Sequence, residues 1–203
     1  MILSTGAANE EDIDWAVKTY RANGGKALTL LQCTARYPAE ANSMNLNAIP
    51  WLKQRFKVSV GLSDHSRHPL YAPVAAVALG AEVIEKHYTL SNLLPGPDHS
   101  FALTPSELKE MVQAIRRTEP MLGEEIKTVH ESEQELRAFA RRGIQALRDI
   151  KEGEVFEEGV NIEILRPGKQ LQGIHPRFLS ELKGKAAKRR ISAGTGIQTE
   201  DWK

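Results

Sequence analysis

Between Met1 and Thr118 the chain repeats one rhythm four times: a short apolar run, a polar end, then a stretch of helical spacing. Met1-Ile2-Leu3 ends in Ser4-Thr5-Gly6, and Asn9 stands where a helix N-cap belongs. Ile13, Ala16, Val17 and Tyr20 then recur on one helical face up to Gly24-Gly25. The run Ala27 to Leu31 ends in Cys33-Thr34 and precedes Leu46, Ile49, Leu52 and Phe56 at helical spacing. The run Val58 to Leu62 ends in Ser63-Asp64-His65, and its helix is predicted over Tyr71 to Leu79, closed by Gly80. The run Glu82 to Ile84 ends in Glu85-Lys86-His87. After a loop holding Pro95-Gly96-Pro97, Thr104-Pro105-Ser106-Glu107 reads as a capping box with proline at the first helical position. Leu108, Met111, Val112 and Ile115 follow on one face.

Strand–helix units of roughly 30 residues predict an α/β fold, either a (β/α)₈ barrel or an open doubly wound sheet. The runs are apolar on both faces, as a parallel sheet covered by helices requires. A nucleotide-binding doubly wound fold would show a glycine-rich turn after its first strand, and STGAAN is not G-x-G-x-x-G. Four units make half a barrel. The expectation is therefore a partial TIM barrel, strands five to eight, whose first half is missing from this polypeptide.

Thr118 to Arg142 is charged, Glu-rich and poor in apolar residues. Beyond it, Ile150-x-x-Gly153-x-x-Phe156 is echoed by Ile191-x-x-Gly194-x-x-Ile197, among short β-runs and many glycines. The predicted organisation is a partial barrel over residues 1–118, a linker over 119–141, and a small β-rich domain over 142–203.

Among 203 residues there is one cysteine, Cys33, so neither an internal disulfide nor a cysteine-rich metal site can form. A net charge of +1 gives no global field for nucleic acid or a membrane surface. No apolar run reaches membrane-spanning length, and no basic-then-apolar leader opens the chain. These features are read as cytoplasmic.

In parallel α/β folds, functional groups gather at the C-terminal ends of the strands. His65 and His87 stand at two such ends, and neighbouring strands lie about 5 Å apart. Two readings stand: hydrogen-bonded rim residues, or two imidazoles sharing one divalent ion, with Asp64 beside His65 favouring the second. Two neutral nitrogens without thiolate suit Mn²⁺, Zn²⁺ or Fe²⁺. His68, past its strand and next to proline, reads as a loop residue. Ser4, Thr5 and Ser63 either cap the following helices or hold an anion near a helix N-terminus. Asp98 sits on the proline-stiffened loop. Lys86 points to the opposite face from His87, and Glu85 shares the face of His87.

STG, CTARYP, GLSDHS, AAVALGAEVIEKHYTL, LPGPDHSFALTPSELKEMVQAIR and LRPG, in this order, resemble the N-acetylneuraminate (sialic acid) synthase family along nearly the whole chain. The SDHSRHPL variant and the FAL after PGPDHS resemble its spore-coat polysaccharide or legionaminate synthase branch. The resemblance implies a barrel followed by an antifreeze-like SAF domain. It implies condensation of phosphoenolpyruvate with an N-acyl amino sugar such as N-acetylmannosamine, giving a nonulosonic acid and phosphate. It implies a metal, usually Mn²⁺, on His65 and His87, with Ser4 and Ser63 on the phosphate and Tyr37 and Asp98 on the sugar. Arg166 would reach into the partner's site in a swapped homodimer, Asp98 and Arg166 being the catalytic candidates; a surface salt bridge is the other reading of Arg166. Two departures stand out: Gln32 where the family often has histidine, and Ala35 where it has Asn or Ser. Both imply a different acceptor or a relaxed pocket. The family's catalytic glutamate and phosphoenolpyruvate-clamping lysines lie on strands one to four, so the chain alone is expected to be inactive. The alternative is a non-catalytic carbohydrate-binding or assembly module.

Overall fold

The computed structural model describes residues 1–203, and they divide into two compact units, Met1–Glu125 and Ile126–Lys203. In the first, strand and helix alternate: β1 (Ile2–Ser4), α1 (Glu10–Ala22), β2 (Thr29–Cys33), α2 (Ala48–Phe56), β3 (Ser59–Asp64), α3 (Tyr71–Ala78), β4 (Val83–Lys86) and α4 (Pro105–Leu122). The strands pair in chain order, all parallel, so each connection is a β/α crossover. Asn9 caps α1, accepting the Asp12 backbone N–H while Asp12 accepts that of Asn9, both at 3.0 Å. Thr104 donates its backbone N–H and its hydroxyl to Glu107 at 2.8 Å each, and Pro105 opens α4. Leu46 lies ahead of α2 rather than inside it, yet packs on the same core.

That core lies between the helices and one face of the sheet. Leu30, Val60 and Leu62 meet Ile13, Val17, Ile49, Leu52, Phe56 and Ala76 there, with Leu3 and Ile84 packed at the margin. Strand alternation turns Ser4, Leu31, Gly61, Ser63, Val83 and Glu85 to the other face. Gly61 is required at that position: a Cβ would run into the Val83 carbonyl and meet Leu31 Cδ2 at 2.6 Å. β1 and β4 each have a strand neighbour on one side alone, and Ile2 is 57% exposed. The unit is thus a four-stranded half-barrel layer. α4 runs past residue 118 to Leu122, and the stretch up to residue 141 contains α5 (Gln134–Ala140).

The second unit builds a separate core from β5 (Gly143–Ala146), antiparallel β6 (Ile162–Leu165), the short α6 (Leu179–Leu182) and isolated bridges. The sequence echo is a structural one. Ile150 and Ile191 bridge each other, exchanging backbone hydrogen bonds of 2.8 and 2.9 Å. The Gly153 N–H donates to the Ala187 carbonyl, and the Gly194 N–H to the Ala146 carbonyl, both at 2.7 Å. The offset relating Ile150 to Ile191 also relates Gly153 to Gly194 and Ala146 to Ala187, which is the pattern of a pseudo-two-fold. Phe156 and Ile197, at matching places in the two copies, are 1% and 0% exposed. No helix in the molecule is long and apolar enough to cross a membrane.

Candidate functional site

His65 directly follows β3 and His87 directly follows β4, so the ladder that pairs Ser63 with Glu85 carries both to the same end and face. Their ring centroids lie 5.3 Å apart, edge to face. His65 is buried, and its Nδ1 lies 2.9 Å from the Thr34 carbonyl. A carbonyl only accepts, so that nitrogen carries the hydrogen, and in the neutral ring the lone pair is left on Nε2. Nε2 lies 3.5 Å from the Ser63 hydroxyl, which donates to Glu85 at 2.6 Å. Tyr37, 53% exposed, places its ring 4.2 Å from that of His65 and 5.8 Å from that of His87. Phe101 packs 5.0 Å from the His87 ring. The Asp98 carboxylate comes to 3.7 Å from His87 Nδ1, too long for a hydrogen bond.

The residues therefore fit a divalent ion in a particular way. One imidazole is oriented by a backbone carbonyl with its second nitrogen free, the form in which a histidine ligates. No cluster of three or more His, Cys, Asp or Glu able to hold an ion is present. Two histidines would leave the remaining positions to water and substrate.

Five of the seven residues singled out from sequence can be placed around this end of the half-barrel. Ser63, His65, His87, Tyr37 and Asp98 converge as described. Ser4 is exposed at the end of β1, two strands away from Ser63. Arg166, at the exposed end of β6 before Pro167, belongs to the second unit and enters no ion pair. The capping roles fall away: Asn9 caps α1, Leu70 holds the N-cap position of α3, and the Thr5 hydroxyl donates to the Leu31 carbonyl at 2.8 Å. His68 is a loop residue stacked on Tyr71 at 3.8 Å.

Asp64 is a correction. It does not join the histidines, because strand alternation sends it to the helix-facing side, where its Oδ2 lies 2.7 Å from Lys86 Nζ. Both side chains are almost fully buried, at 0% and 3% exposed. Burial pushes the Lys86 pKa down from its ordinary value, and the Asp64 carboxylate opposes that shift. Gln32 also faces the helices, donating to the Met44 carbonyl at 3.0 Å, so its departure from the family pattern does not touch the histidine side. Phe101 was not foreseen from sequence; its signal was its place in the PGPDHSF loop beside Asp98.

A parallel β/α half-barrel with paired histidines at its strand ends, followed by a pseudo-symmetric β unit, is matched by two family models. One, described as the NeuB family, covers residues 1–127, and one, described as the SAF domain, covers residues 141–201. The chain belongs to the NeuB family. The spore coat polysaccharide biosynthesis protein SpsE of Bacillus subtilis (strain 168) is 47% identical over 216 residues, across 99% of this chain and 58% of that protein. The N,N'-diacetyllegionaminic acid synthase of Campylobacter jejuni subsp. jejuni serotype O:2 is 44% identical over 189 residues, across 92% of this chain and 55% of that protein. The crystal structure of Bacillus subtilis SpsE superposes with a TM-score of 0.58 at 46% identity, covering 100% of this chain and 61% of that one. The chain thus spans little more than half the length of these relatives.

Proposed function

We propose that this chain carries strands five to eight of a nonulosonic acid synthase barrel and the metal half of its condensing site. The reaction joins phosphoenolpyruvate to an N-acyl amino sugar of the N-acetylmannosamine type. The observation that carries the reading is the His65–His87 pair, 5.3 Å apart, with His65 Nδ1 tied to a carbonyl and Nε2 free. His65 and His87 would hold one divalent ion, Mn²⁺ by the family resemblance. When bound, such an ion supplies Lewis-acid polarisation of the sugar aldehyde oxygen, where negative charge develops.

The chain's own groups have separate tasks. The hydroxyls of Ser63 and Ser4 bind phosphate oxygens of phosphoenolpyruvate. Tyr37, backed by the buried Phe101, forms an apolar wall beside the imidazoles, against which the open-chain sugar and its acyl group can pack. Asp98 accepts hydrogen bonds from sugar hydroxyls. C3 of phosphoenolpyruvate attacks the aldehyde carbon, water adds at C2, and the tetrahedral intermediate loses phosphate. Arg166 would approach the other copy's site in a swapped homodimer, its guanidinium fork suited to acyl and hydroxyl oxygens.

The chain alone is expected to be inactive, since β1 and β4 lack outer neighbours and a barrel needs closure. The test is phosphate release from phosphoenolpyruvate with N-acetylmannosamine and Mn²⁺. The chain is assayed alone and after co-expression with the N-terminal portion of Bacillus subtilis SpsE. Release in the mixture alone is the expected result, abolished by His65→Ala. Turnover by the isolated chain would overturn the inactivity. A stoichiometric complex without turnover would leave the binding-module reading in its place.

A further inference from the structure

The helix-facing side of the sheet is apolar at Leu30, Val60, Leu62 and Ile84 until its last β3–β4 pair, where it carries a carboxylate and an ammonium. Asp64 and Lys86 are direct cross-strand partners there. Asp64 Oδ2 takes the Lys86 ammonium at 2.7 Å, and Asp64 Oδ1 accepts the Ser66 backbone N–H at 2.8 Å. The same ammonium donates to the Ser66 carbonyl and lies 3.4 Å from the Ser66 hydroxyl. His65 is therefore held between two residues tied to one nitrogen, and His87 is bonded directly to the residue that supplies it. A buried ion pair is a poor choice for stability alone, because desolvating both ions offsets most of their attraction and apolar replacements of similar volume are commonly neutral or better. It does impose one register and one backbone path, which apolar side chains would not.

We propose that the buried Asp64–Lys86–Ser66 network is a positioning device that fixes the strand ends so that the His65 and His87 imidazoles converge. This rests on the reading of those histidines as an ion-binding pair. Lys86 and Asp64 act from behind the sheet and touch neither ion nor substrate. Ser66 extends the device past the strand end, where the backbone would otherwise be free to leave the sheet plane.

The experiment compares the full chain with Asp64→Leu/Lys86→Met, in which the charges leave together and no ion is stranded. Folding is followed by circular dichroism and Mn²⁺ binding by loss of the free-ion EPR signal. The tautomer of each imidazole is read by long-range proton–nitrogen NMR without metal. The expected result is a folded variant whose Mn²⁺ affinity falls about 10–100-fold, as for other groups that orient ligands indirectly, with the His65 Nδ1–H signature lost or mixed. A folded variant with wild-type affinity and an unchanged imidazole spectrum would show the pair to be structural alone and overturn the proposal. Should the double variant fail to fold, Asp64→Asn, which keeps shape and hydrogen bonding, is judged by the same two readouts. Should the wild type itself take up no Mn²⁺, the ion-binding reading falls. The metal-free imidazole spectrum still decides the positioning role: altered supports it, unaltered refutes it.

Discussion

The two units treat their sheets in opposite ways. The second folds its short strands back on themselves through the Ile150–Ile191 bridge, and Ile144, Ile150, Phe156, Ile162, Leu182 and Ile197 are each at most 1% exposed. The first leaves strand edges unpaired on both sides, and Ile2 stands 57% exposed on β1. One unit satisfies its own backbone and core. The other is a layer open at both edges, and its polar residues gather at the strand ends. A closed unit can be judged residue by residue, whereas an open one has residues whose worth depends on what covers them.

That contrast can be broken by mutation. Phe156→Ala should cost about 3–5 kcal/mol in the closed unit, the range for emptying a buried aromatic site. Amide hydrogen exchange should show lost protection in β5 and β6 while β2 and β3 keep theirs. Equal loss in both would mean the units do not unfold separately. A smaller effect is expected at Glu154, whose carboxyl is held down from 4.5 to about 2, first by Arg148, then by the Lys151 backbone N–H and the Asn161 amide. A depressed carboxylate stabilises the fold above its unfolded pKa, and the contribution is lost as pH falls from 4.5 toward about 2. Glu154→Gln should therefore flatten the acid limb of the melting-temperature profile in that window, and 1 M salt should shrink the wild-type slope. An unaltered limb would put the acid sensitivity elsewhere. The smallest effect belongs to the open unit: Ile2→Ser should change the stability of this chain by less than about 0.5 kcal/mol, as for an exposed surface position. A loss of several kcal/mol in a urea melt would mean that β1 is already covered.

Much of the architecture was legible because it is local. Helical spacing, the Asn9 and Thr104 caps and the apolar runs are short-range patterns, and the structure repeats them with shifts of a residue or two at the ends. The internal echo in the tail was equally readable, since Gly153 and Gly194 occupy matching positive-φ turns at 77° and 78°. Face assignment followed from alternation for Lys86 and Glu85. The same rule, applied to Asp64, would have removed it from the histidines. Adjacency in the sequence to His65 suggested a shared site, but neighbours on a strand point in opposite directions.

Alone, then, the sequence determined the order of strands and helices in the first unit, which side chains share a strand face, and that polar groups cluster at strand ends, because each depends on backbone periodicity over a few residues. The tertiary structure decided which side chains meet. Parallel register joined Asp64 to Lys86 and Ser63 to Glu85 across two strands, and loop return brought Tyr37, Asp98 and Phe101 onto the imidazoles. Those distances come from packing between segments far apart in the chain, which no local pattern specifies.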